Sequence, residues 1–143
     1  MRNITVKNGT DCKRFRIPSE DAWGDLAAHV ASALKPGDIL AMSGPLGAGK
    51  TTFVQALAKA LGAKRVPQSP TFALMRSYPL HRRGAPKRLV HVDAYRITHP
   101  HEILALDLDE ELSDGKTVVA IEWPENIKSW LKGKILISVR IGP

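Results

Sequence analysis

Gly44-Pro45-Leu46-Gly47-Ala48-Gly49-Lys50-Thr51 is the stretch whose reading decides the fold. It fits G-x-x-x-x-G-K-[ST], in which a glycine-rich backbone cradles phosphate, the lysine reaches the outer phosphates and the hydroxyl meets Mg2+. Its flanks supply the setting that such a loop needs. Asp38-Ile39-Leu40-Ala41-Met42-Ser43 is a short apolar strand, and Thr52 to Leu61 has helical periodicity, with Gly62 placed to cap its end. Glycines turn through φ > 0 and keep side chains away, so that successive N–H groups can point at one anion. The helix start adds its dipole and unpaired donors to the same place. The phosphate-binding set is therefore the backbone of Gly44, Leu46, Gly47, Ala48 and Gly49, with Lys50, Thr51 and Thr52 opening the helix. A glycine turn that matches by chance is the alternative, and the strand–loop–helix order argues against it.

Outward from the loop, 143 residues suit one domain with a real core. No apolar run is long enough to span a membrane, and no signal peptide is legible, so neither a membrane nor an export route is expected. The single Cys12 cannot form an internal disulfide, which suits a reducing cytoplasm. A net charge of +7 favours acidic partners such as nucleotide, RNA or an acidic protein face, and DNA is not expected among them.

Residues 1–12 show no clear period and are expected as a poorly ordered lead-in, with 13–143 forming one P-loop ATPase domain. Lys13 to Ile17 alternates as an edge strand would. Ser19 is placed to N-cap a helix from Glu20 to about Leu34, which carries Trp23, Leu26, Ala27, Val30 and Leu34 on its core face. Phe72–Tyr78, Arg88–Val92, Thr117–Ile121 and Lys134–Ile141 are strands, Glu102–Asp114 a helix or helical turns with one buried face, and Asn126–Leu131 a short helix. Strands alternating with helices predict an α/β fold, a mostly parallel but mixed central sheet flanked by helices, with an antiparallel neighbour in the Phe72–Val92 region.

A phosphate loop needs an acid for Mg2+ and a group that places the attacking water. Asp93 and Glu122 both stand just past apolar strands, where α/β sheets bind ligands, and either can hold the metal. Thr71, between two prolines and a strand, is one hydroxyl that can sense the outer phosphate. His99-Pro100-His101 lacks the further ligands of a closed zinc site.

Four blocks in this order resemble the TsaE (YjeE) family: the loop Gly44–Thr51, Ser69-Pro70-Thr71, His91-x-Asp93-x-Tyr95-Arg96 and Ile121-Glu122-Trp123-Pro124. The resemblance implies an ATPase of the bacterial machinery that installs threonylcarbamoyl on a tRNA adenosine. ATP or ADP and Mg2+ are then its ligands, and TsaB- and TsaD-like proteins its partners, with tRNA reached indirectly. It also implies roles: Lys50 on the phosphates, Thr51 and Glu122 on the metal, Asp93 as catalytic acid, Ser69–Thr71 as nucleotide sensor. Glu20 would pass near the nucleotide. Pro45 departs from the acid usual at that position, the chain stops at Pro143, earlier than many relatives, and the basic segment Pro79–Arg88 is longer than usual.

A weak, partner-dependent ATPase is the leading expectation. A small-molecule kinase with Arg82, Arg83 and Arg88 as a lid is the second, and a non-enzymatic nucleotide-gated adaptor the third. A GTPase lacks the N-K-x-D stretch that reads guanine.

Overall fold

A computed structural model describes residues 2–65, 74–84 and 86–142. Seven strands run β1 (Arg2–Asn8), β2 (Asp11–Ile17), β3 (Ile39–Ser43), β4 (Met75–Pro79), β5 (Arg88–Asp93), β6 (Thr117–Glu122) and β7 (Leu136–Ile141). The α-helices are α1 (Ala22–Ala33), α2 (Lys50–Ala60), α3 (Leu108–Leu112) and α4 (Lys128–Leu131), with 3-10 helices at Pro100–Leu106 and Pro124–Ile127. The strands form one sheet in the order β2-β1-β7-β3-β6-β5-β4. Its centre, β7-β3-β6-β5, is parallel, whereas β1, β2 and β4 pair antiparallel.

Apolar content explains the layering. Every residue of β6 is buried, as are the first four of β3, so these strands need cover on both faces. On one face, Trp23, Leu26 and Val30 of α1 and Phe53, Val54 and Leu57 of α2 meet Leu40, Met42, Val118, Ala120 and Val139. On the other, Ile97, Ile103, Leu108, Ile127, Trp130 and Leu131 cover Ile39, Val90, Val92, Val119 and Ile121. Each such side chain contributes about 1.5–3 kcal/mol when fully buried. Helix α2 ends in a Schellman turn: Gly62, at φ 93°, donates to Lys59 O and Ala63 N to Ala58 O.

The α/β fold with a mixed sheet is as expected, but the N-terminal boundary is not. Residues 2–12 are not a loose lead-in, because Arg2–Asn8 forms β1 in the middle of an antiparallel triplet. Ile4 and Val6 point into the helix-side core opposite Ile141 and Val139, and two apolar residues are too few to show a period. Helix α1 begins at Ala22, not Glu20. Asp21 holds the N-cap position without a side-chain bond, and Ser19 accepts the Ala22 N–H through its carbonyl. The segment 102–114 is split by Asp107 at φ 50° into a 3-10 helix and α3. The expected strand from Phe72 is β4, from Met75; Phe72 itself lies outside the described residues.

Candidate active site

The loop lies between β3 and α2, at the carboxyl ends of parallel strands. Two of its glycines are held by close contacts. A Cβ on Gly44 would sit 2.6 Å from Ile141 O, and one on Gly49, at φ 109°, would sit 2.6 Å from Trp23 Cζ2. Trp23 is therefore core, and it is also the wall against which the loop closes. Gly49 occupies the N-cap position of α2, and its carbonyl accepts the Phe53 N–H at 2.9 Å. Ala48 is buried and donates to Pro45 O at 3.1 Å, whereas Leu46, at the tip, is exposed. Thr52 is half-buried in the first turn of α2.

Lys50 is buried beneath the loop. Its ammonium donates to Gly44 O at 2.5 Å and to Pro45 O at 3.0 Å, and lies 4.0 Å from the Trp123 ring centroid. Burial pulls its pKa below the ordinary lysine value, while Glu122, Glu125 and Asp93 act in the opposite sense. Cation–π contact and carbonyl acceptors partly replace the water that burial removes.

Glu122 ends β6 and is 3% exposed. The Thr51 hydroxyl is 3.3 and 3.4 Å from its two carboxylate oxygens, and His91 Nε2 is 2.6 Å from Oε2. His91 is fully buried on β5, and its Nδ1 has no hydrogen-bond partner among the described residues. An N–H donated from Nε2 to the carboxylate fits this pattern. Asp93 lies directly across from Glu122 in the β5–β6 register, half-buried, and accepts the Tyr95 N–H at 3.1 Å. The next residue after Glu122, Trp123, has φ 60°, a left-handed conformation that costs a bulky residue roughly 1–3 kcal/mol. That bend brings its ring over Lys50 and 5.1 Å from the Tyr95 ring.

The structure thus brings Lys50, Thr51, Asp93 and Glu122 together with Gly44, Leu46, Gly47, Ala48, Gly49 and Thr52. Glu20 is exposed in the turn before α1, where its carbonyl accepts the N–H of Trp23 at 3.3 Å, and among the described residues no hydrogen bond or ion pair joins it to the loop. Thr71 lies outside the described residues. Three contributors escaped sequence reasoning. His91 enters the sequence reading as the first residue of a matched block, yet its place two residues before Asp93 puts both on one face of β5. Trp123 was a matched position without a role. Arg2, whose guanidinium donates to Gly47 O at 3.0 Å, belonged to the presumed lead-in. The pair Thr51–Glu122 offers only oxygen donors, the ligand type that Mg2+ takes, and the His91 bond fixes the carboxylate as outer-sphere partners commonly do.

Sheet, loop and acids define an α/β domain of the P-loop kind. The chain belongs to the TsaE family: residues 17–142 match the family described as threonylcarbamoyl adenosine biosynthesis protein TsaE. It is 44% identical over 102 residues to the tRNA threonylcarbamoyladenosine biosynthesis protein TsaE of Streptomyces coelicolor, covering 71% of this chain and 66% of that one. To the protein of that name from Aquifex aeolicus it is 37% identical, covering 81% and 80%. The crystal structure of YdiB from Bacillus subtilis superposes with a TM-score of 0.68 at 28% identity, covering 99% of this chain and 78% of that one.

Proposed function

We propose that the chain is the ATP-binding and ATP-hydrolysing component of tRNA threonylcarbamoyladenosine biosynthesis, acting with TsaB- and TsaD-like proteins in the cytoplasm. Relatives named for that pathway support the process. The observation that carries the chemistry is the meeting of Lys50, Thr51 and Glu122 at one glycine loop. Gly47 and Gly49 present main-chain donors to the phosphates, with the Ala48 N–H bracing the loop on Pro45 O, and Lys50 exchanges its carbonyl contacts for phosphate oxygen. Thr51 and Glu122 hold Mg2+, which offsets phosphate charge. Asp93 organises the attacking water, and His91 keeps the Glu122 carboxylate in place.

The kinase reading loses most of its lid. Arg88 is held by Glu111, Asp114 and Thr117, and the Arg82 guanidinium donates to Ala60 O at 3.3 Å. Lys87 donates to Arg82 O at 2.9 Å, so the basic segment is largely spent within the molecule. Steady-state release of phosphate from ATP, with and without added partner proteins and with no acceptor, tests the reading. Lys50→Ala should lower turnover by about 10²–10³-fold, because it removes a preorganised cation from developing charge. Wild-type turnover in that variant would overturn the assignment.

A further inference from the structure

The second layer of helices stops at the start of β7. There Leu136 packs against the core of that layer and Ser138 shares a cavity with Glu125 and α4. On that side of the sheet, β1 and β2 have no cover among the described residues, and beyond Leu136 the side chains that alternate outward are polar. Strand register places them in rows. Arg14, Thr5, Arg140 and Ser43 stand abreast across four strands, and Cys12, Lys7 and Ser138 form the row beside them. Arg16, opposite Asn3, extends the Arg14 side. Strand spacing of ~4.8 Å puts the backbones of Arg14 and Arg140 about 10 Å apart. Lys7, Arg14, Arg16 and Arg140 are exposed, none makes an ion pair among the described residues, and no acid shares these rows. A shallow depression of about 590 Å³ opens between Asn3, Thr5, Arg14 and Arg16. The row ends at Ser43, the residue before the glycine loop.

We propose that this open face of β2-β1-β7 docks the phosphate backbone of RNA, with Lys7, Arg14, Arg16 and Arg140 as the phosphate contacts. Four cations with no ion pair among the described residues, beside Thr5 and Ser138 hydroxyls, are the donor set that phosphate oxygens take, and such contacts position RNA without reading its bases. An acidic protein surface is the competing partner. Protein interfaces, however, centre on aromatic and aliphatic anchors and are depleted of lysine. The exposed large apolar side chains Leu46, Tyr95, Leu104 and Ile135 all lie off these rows. The inference takes tRNA as the RNA from the proposed function and needs no hydrolysis.

The test is fluorescence anisotropy of a labelled, unmodified tRNA transcript, titrated with the protein between 50 and 200 mM salt. Four phosphate contacts give a log–log salt slope near −3, so wild-type affinity should fall roughly 60–100-fold over that range. The triple variant Arg14→Gln, Arg16→Gln, Arg140→Gln should bind at least about tenfold more weakly at low salt and lose only about threefold over the range. Lys7→Glu alone should weaken binding as well, on the other row. ATP affinity and melting temperature should stay at wild-type values in both variants. Wild-type tRNA affinity or an unchanged salt slope in the triple variant overturns the inference. So does a triple variant that keeps tRNA binding and loses salt-dependent binding to a partner protein, and so does a wild type that binds ATP but no tRNA. Failure of ATP binding in a wild type that does bind tRNA would instead strike the proposed function alone.

Discussion

Replacing His91 with phenylalanine keeps a ring in a fully buried site and removes the donor 2.6 Å from Glu122. The carboxylate, 3% exposed, would keep only the Thr51 hydroxyl at 3.3 and 3.4 Å, long for an O–H donor. Breaking one partner of a buried pair costs about 3–5 kcal/mol. The variant also deletes the orphaned Nδ1, recovering about 1 kcal/mol. The net expectation is a loss of about 2–4 kcal/mol. For a domain of this size that lowers the melting temperature by roughly 6–15 °C. Thermal and urea unfolding, followed by circular dichroism without nucleotide, measure it. Adding Glu122→Gln removes the charge that needs a partner and should restore at least about half of the loss, a coupling that two independent sites would not show. If His91→Phe melts at or above the wild type and the second change restores nothing, Glu122 does not depend on His91 and the argument fails.

Glu122→Ala should weaken Mg2+-dependent nucleotide binding at least about tenfold, whereas Asp93→Ala should cut turnover by about 10²–10⁴-fold with nucleotide still bound; Mg2+ titrations of nucleotide binding separate the two, and equal losses of binding would merge the roles. Gly49→Ala forces a Cβ to 2.6 Å from Trp23 Cζ2, so stability should drop by about 1–3 kcal/mol, together with nucleotide affinity, in urea unfolding and calorimetry. The Lys116 N–H, the Thr117 hydroxyl and Arg88 hold the Asp114 carboxyl below the usual carboxylate range. A depressed folded pKa means that the unfolded chain binds the extra proton. The stabilisation is therefore full above the ordinary aspartate value and is lost as pH falls through the folded one. Asp114→Asn should flatten that acid-side slope, and parallel pH–stability curves for variant and wild type would refute it.

The loop and the central strands were legible because the signals are local: glycine spacing, the apolar run Ile39–Met42, a helical period after Lys50. Asp93 and Glu122 were legible for the same reason, each standing at the end of such a run. What stayed hidden depends on pairing between distant segments. β1 carries two inward apolar residues, and its partner β7 lies at the other end of the chain. Arg88 read as a candidate lid residue because nothing in its neighbourhood shows that Glu111 and Asp114 return to the foot of β5. The His91–Glu122 bond crosses between neighbouring strands, and only the strand order brings it about.

The two outer strands of the sheet face a hazard of their own, since each presents main-chain groups that another copy could zip onto. On β2 the alternation Lys13, Arg14, Arg16 puts positive charge on both sides of the ribbon, so a second β2 arriving edge to edge meets like charge at successive positions. On β4 the strand is five residues long and ends in Pro79, which has no N–H to offer an incoming chain. Colloidal behaviour should therefore be governed by the β2 edge: screening by salt, or replacing its three cations with Thr or Val, removes the repulsion there and leaves β4 blunt. Turbidity on mild heating, compared between such a β2 variant and the parent at low salt, would show fibrillar or amorphous association starting from that edge.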